Sequence, residues 1–158
     1  FDSQKVAAVL TGSTLKKALH CFEILNNHQK IKLICIPDRL LVAKLKIKRS
    51  KLLDILEQKF KIKKNIHLLA LDDIKELPKL IRPYIISIDS SIAFKSGYFG
   101  VVFPNDKDIK RPRNYFKLNT ITKLQRFNII KNLSYINEIC KRRRLIKNEN
   151  KKNKLETD

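Results

Sequence analysis

Glycine is scarce in this chain, at 3 of 158 residues, and methionine is absent. So few glycines exclude a complete dinucleotide-binding fingerprint, whose glycines let the backbone close up on a pyrophosphate. Only Gly12 stands where such a turn belongs. The three cysteines, Cys21, Cys35 and Cys140, are odd in number and widely separated. That spacing excludes a disulfide framework and the paired ligands of a zinc site. It predicts an intracellular, reducing compartment, either an organelle (mitochondrion or plastid) or the cytoplasm. His20, His28 and His67 are too scattered to suggest a metal site, so no metal is expected. No apolar run approaches the roughly 18 residues of a membrane span. A chain that opens on Phe1 and lacks methionine is expected to be a fragment or a processed form. Oligomeric state is left open by all of these features.

Acidic residues are also few: 15 Asp and Glu face 35 Lys and Arg, a formal net charge of +20. Such a field draws a protein toward polyanions, RNA or an anionic membrane surface. Lys, Ile and Asn are all abundant, as A- and T-rich codon usage also produces, so composition is the competing reading of the charge. Residues 1–106 carry 19 basic and 10 acidic residues, and residues 107–158 carry 16 and 5, so the last third holds over half of the excess. Lys141, Arg142, Arg143 and Arg144 form the densest cluster, read as a phosphate clamp or as a solvated tail.

The apolar residues that remain are periodic. Val6–Leu10 is a short apolar run closed by Thr11, Gly12 and Ser13, after which Leu15, Leu19, Phe22 and Leu25 recur at helical spacing. Ile31–Ile36 is a second run stopped by Pro37, so the first forty residues read as strand, helix, strand. Leu40–Arg49 alternates apolar and basic residues and reads either as an edge strand or as a mobile basic loop. Ser50 is the predicted N-cap of a helix with Leu52, Leu53, Leu56 and Phe60 on one face. Ile66–Leu71 predicts a third strand, Asp72 and Asp73 the start of a third helix ended by Pro83, and Tyr84–Ile88 a fourth strand. This succession predicts an α/β fold with a Rossmann-like open, mostly parallel sheet, doubly wound, flanked by helices and buried on both faces. Gly100–Phe103 is a candidate fifth strand. Leu118, Ile121, Leu124, Ile129, Leu133, Ile136 and Ile139 predict one long helix. Lys141–Asp158 lacks hydrophobic spacing and predicts a disordered tail. The predicted organisation is an α/β domain over 1–106, a basic link and amphipathic helix over 107–140, and a basic tail over 141–158.

Polar candidates gather at the predicted carboxyl edge of the sheet. Gly12 with Ser13 reads as a tight turn or as a seat for an anion. Arg39 after Pro37 and Asp38 pairs with Asp38 or reaches a phosphate, and Asp89 with Ser90 and Ser91 binds a ligand or caps the fourth strand.

Gly12-Ser13-Thr14 after the first strand, Ile36-Pro37-Asp38-Arg39 after the second, the basic stretch that follows, and Pro83–Ile92 together resemble the N-terminal domain of the methionyl-tRNA formyltransferase family over about residues 5–106. The resemblance implies a Rossmann-like enzyme, or a former one, that uses 10-formyltetrahydrofolate and takes initiator methionyl-tRNA as its partner. It implies that Lys44, Lys46, Lys48 and Arg49 contact the tRNA and that Asn105 and Asp106 stand where catalysis would fall. Arg39 and the cluster Arg142, Arg143 and Arg144 are further nucleic-acid candidates by their charge, and Gly12 and Asp89 are cofactor candidates by their place at the carboxyl edge of the sheet. The family pairs an Asn with a His two residues on. Here Asn105 has no such His, so the groups that would place the formyl carbonyl and move the amine proton are at most partly present, and formyl transfer is expected to be undetectable. The alternative is a basic RNA-binding structural protein, for example of an organellar ribosome, whose core docks on rRNA while helix and tail thread between phosphates. A nucleotide- or flavin-binding protein rests on fold analogy alone. An enzyme should bring Gly12, Arg39, Asp89, Asn105 and Asp106 to one pocket, whereas a structural RNA binder should spread its cations over several faces.

Overall fold

The computed structural model describes residues 6–71, 73–105 and 121–155, with the backbone course alone for 39, 40 and 142–155. It falls into two units, Phe1–Leu71 with Lys79–Ser90, and Asp72–Pro78 with Ser91–Asp158.

The first unit holds the sheet. The apolar runs become β1 (Val6–Val9), β2 (Ile31–Pro37), β3 (Asn65–Leu69) and β4 (Ile85–Ile88), all parallel, in the order β1-β2-β3-β4. The α/β class and open parallel sheet are as expected, but the double winding is not. A doubly wound sheet reverses its strand order so that crossovers reach both faces. Here each strand lies beside its predecessor, and right-handed crossovers then all pass over one face. Burial agrees: Ile34, Ile36, Ile66 and Leu68 are fully buried on that face, while on the other Val9 keeps 50% of its surface exposed. The expected burial of both faces is therefore corrected.

Two helices cover the buried face. α1 (Leu15–Asn27) starts at Thr14, whose hydroxyl accepts from Lys17 N–H, and it turns Ala18 and Phe22 inward. The chain enters α1 so tightly that a Cβ on Gly12 would stand 2.5 Å from the Ala18 nitrogen, which is why glycine sits there. After β2, the residues read as edge strand or loop instead coil into a π-helical turn (Asp38–Val42) and a short α2 (Ala43–Leu45). Leu41 and Val42, adjacent and both buried, anchor that turn. Lys46 adopts a left-handed φ of 54° and ends α2. α3 (Arg49–Lys59) begins one residue before the predicted cap: Lys48 occupies the N-cap position without a side-chain bond, and Ser50 lies inside the helix. Phe60, following α3, meets Phe22 at 5.5 Å between ring centroids. The predicted third helix is a 3-10 helix (Ile74–Leu80) with Pro78 inside it, whose ring conflicts with the carbonyl four residues earlier and so disfavours α-helical winding.

The second unit packs α4 (Ile92–Tyr98) against α5 (Lys123–Leu155). The predicted fifth strand does not form. Its backbone groups bond to the side chain of Asn132 on α5, which accepts from Phe103 N–H at 2.9 Å and donates to the carbonyls of Val101 at 2.9 Å and Ala93 at 3.3 Å. Residues 92–105 therefore belong with α5, not with the sheet as the boundary at 106 had it. The backbone of α5 runs on through Lys141–Leu155, the segment that shows no hydrophobic spacing. Lys, Arg and Leu are good helix formers, so a helix started by packing can extend through them.

Candidate functional site

The carboxyl ends of β2, β3 and β4 carry the polar residues singled out in the sequence, and their geometry assigns most of them to holding backbone. Arg49 is fully buried. Its guanidinium donates to the carbonyls of Leu69 at 2.8 Å and Ala70 at 3.3 Å and lies 3.7 Å from an Asp38 carboxylate oxygen. A guanidinium sealed in this way does not reach a phosphate, which corrects the tRNA-contacting role given to Arg49. Its planar fork, which matches two convergent carbonyls, explains why an arginine leads α3.

Asp89 follows β4. Its Oδ1 accepts from Ala70 N–H at 2.8 Å, and its own N–H donates to Leu68 at 3.1 Å. Ala70 has a left-handed φ of 58°. Asp89 and Arg49 thus grip one strained residue from both sides, one through its N–H and the other through its carbonyl, and the strand-capping reading of Asp89 is the one its contacts fit.

The register places Cys35, His67 and Ser87 in one row across β2, β3 and β4 on the open face. His67 Nδ1 is 2.7 Å from Ser87 Oγ, and Nε2 is 3.4 Å from Asp89 Oδ1. Burial, with the Asp89 charge second, pushes the Cys35 thiol above its ordinary range, so it is held as a thiol and not as a nucleophile. Serine, histidine and aspartate in this order have the connectivity of an acyl-transfer relay. Ser87, however, lies within β4, and the strand does not run directly into a helix whose first N–H groups would face an oxyanion, since the next helix starts at Ile92. The row acts as a cross-strand tether that fixes β4 on β3, a pairing worth up to about 1 kcal/mol. The sequence showed three scattered histidines; only the pairing of β3 with β4 reveals the partnership.

The lysines of the predicted basic loop are placed differently. Lys44, Lys46 and Lys48 are all exposed on α2 and the turn after it. The acids that flank them in sequence, Asp38 and Asp54, face Arg49 and Arg82 instead. Gly12 stands against the Ala18 backbone, a close approach that its tight-turn reading accounts for. Asn105 is exposed and belongs to the second unit. Asp106 lies outside the described residues, as do the side chains of Arg39, Arg142, Arg143 and Arg144. Among the described residues no group of three His, Cys, Asp or Glu could hold a metal, and no helix is long and apolar enough to cross a membrane. Compared with known protein families, curated proteins and solved structures, the chain matches none of them. Its function is accordingly argued from its own residues.

Proposed function

We propose that this chain binds structured RNA by phosphate contacts and does not act as an enzyme on it. The observation that carries the reading is the arrangement after β2: Asp38 is turned to the buried Arg49, while Lys44, Lys46 and Lys48 are exposed on α2 and the turn after it. Exposed cations whose neighbouring acid is engaged elsewhere keep their field for an external polyanion. Initiator tRNA is the favoured RNA, because these lysines occupy the stretch that the formyltransferase resemblance implies for the tRNA acceptor arm. Gly12, which the close approach of Ala18 accounts for, and Asp89, which caps Ala70, both have backbone roles of their own, and no step through 10-formyltetrahydrofolate is derived.

The test is binding to initiator tRNA, an elongator tRNA and an unrelated structured RNA at several salt concentrations. Binding to all three with a steep inverse salt dependence is expected, with initiator tRNA tightest if the resemblance reflects descent. Replacing Lys44, Lys46 and Lys48 by Gln should weaken binding to every RNA alike and lower the salt slope by about one for each phosphate no longer neutralised. Absence of binding at roughly physiological salt would overturn the reading and leave codon usage as the origin of the charge.

A further inference from the structure

The opposite, amino-terminal edge of the sheet carries a second basic feature, built from lysines that form no motif in the sequence. Leu33 pairs with Asn65, so Lys32 and Lys64, each one residue earlier, stand side by side where two parallel strands begin. With Lys63 and Asn65 they line a depression of about 350 Å³. This ridge is fixed. Asn26, at the end of α1 and only 2% exposed, donates to the Lys61 carbonyl and accepts from Lys63 N–H, both at 2.9 Å. The Lys63 ammonium donates to Asn27 Oδ1 at 2.8 Å. Among the described residues none of the three lysines forms an ion pair.

We infer that this pocket is a binding site for phosphate oxyanions, taking one or two phosphate groups at a time. Three ammonium groups are compact point charges on flexible stems that close round a multiply charged tetrahedral anion from several directions. A planar, singly charged carboxylate offers them less. The volume is ample for a phosphate or pyrophosphate, and a lining of three lysines and Asn65 offers no aromatic or apolar wall for a nucleotide base. The same oxyanions are supplied by an RNA backbone or by a free phosphate compound. The pocket does not depend on the RNA reading; only the RNA source does. The competing explanation is structural, since α1 has no basic residue in its last turn and these lysines would offset its C-terminal dipole.

Calorimetric titration of the full chain with inorganic pyrophosphate, at fixed ionic strength, tests the inference. Saturable binding is expected. Lys63→Gln and Lys64→Gln should each weaken it about tenfold, in line with removal of one charge-assisted hydrogen bond, while Lys16→Gln and Lys17→Gln on α1 leave it unchanged. Pyrophosphate that displaces bound RNA identifies the RNA backbone as the source, and pyrophosphate that binds without displacing RNA identifies a free phosphate compound; the site stands in both cases. If RNA fails to bind while pyrophosphate binds, the RNA reading falls and the pocket remains. No saturable binding, or lysine variants that lower the melting temperature without weakening pyrophosphate, would overturn the inference.

Discussion

Arg49 shows what one residue does at the junction of β2, β3 and α3. Its buried guanidinium donates to two carbonyls at the end of β3 and faces the partly exposed Asp38 carboxylate. Arg49→Met keeps the volume but strips both carbonyls of their donor and leaves Asp38 without its counter-charge, a loss of about 3–5 kcal/mol. A denaturant titration reads that loss, and the surviving folded fraction should bind RNA with unchanged affinity, because the guanidinium never reaches solvent. Undiminished stability with weakened RNA binding would return Arg49 to the interface. From sequence, Arg49 is one more cation in a basic stretch beside Lys48; nothing in the spacing separates the buried charge from the exposed ones. Asn132 is illegible for the same reason. It is one of many asparagines, and only the fold shows it to be fully buried with three backbone partners.

At the scale of elements, close approach and charged bridges fix which pieces pair. A Cβ on Gly97 would meet the Ile129 nitrogen at 2.5 Å, so α4 and α5 touch backbone to backbone. Gly97→Ala forces them apart and should cost about 1–3 kcal/mol, seen as a lowered unfolding midpoint. In the first unit, Arg82 just before β4 bonds Asp54 at 3.0 Å and Glu57 at 3.2 Å on α3, and Tyr84 donates its hydroxyl to Glu57 at 2.8 Å. Burial first, and then the bond to Glu57, pushes the Tyr84 phenol well above its ordinary value of about 10. The folded state therefore holds this proton more tightly than the unfolded state. The resulting stability is fully present below pH 10 and is lost as pH rises beyond it. Tyr84→Phe should lower stability at neutral pH by about 1 kcal/mol and make the alkaline decline shallower, as followed by unfolding at pH 8 and pH 10.5. Strands and helices as such were readable from apolar spacing, since β1 to β4, α1 and α3 all fall on predicted runs. The failures share a cause. Pro78 and Asn132 act on backbone hydrogen bonds, to which hydrophobic periodicity is blind.

Over the whole molecule, charge is the property the sequence states most directly, and its placement is the property it states least. If the cluster at Arg142–Arg144 clamps phosphate, replacing all three by Ala should weaken RNA binding and flatten its salt dependence by about one for each phosphate the cluster had neutralised. An unchanged slope would make it a solvated extension of α5. The sequence by itself determined the α/β class, the four parallel strands, the long C-terminal helix and the excess of positive charge, because each depends on local spacing or on counting. The tertiary structure decided the strand order, the open face of the sheet, the sealing of Arg49, the capping by Asp89, and the meeting of Lys32, Lys63 and Lys64 at the amino edge. Those depend on which strands become neighbours, and neighbours are chosen by packing and by backbone hydrogen bonds between residues tens of positions apart.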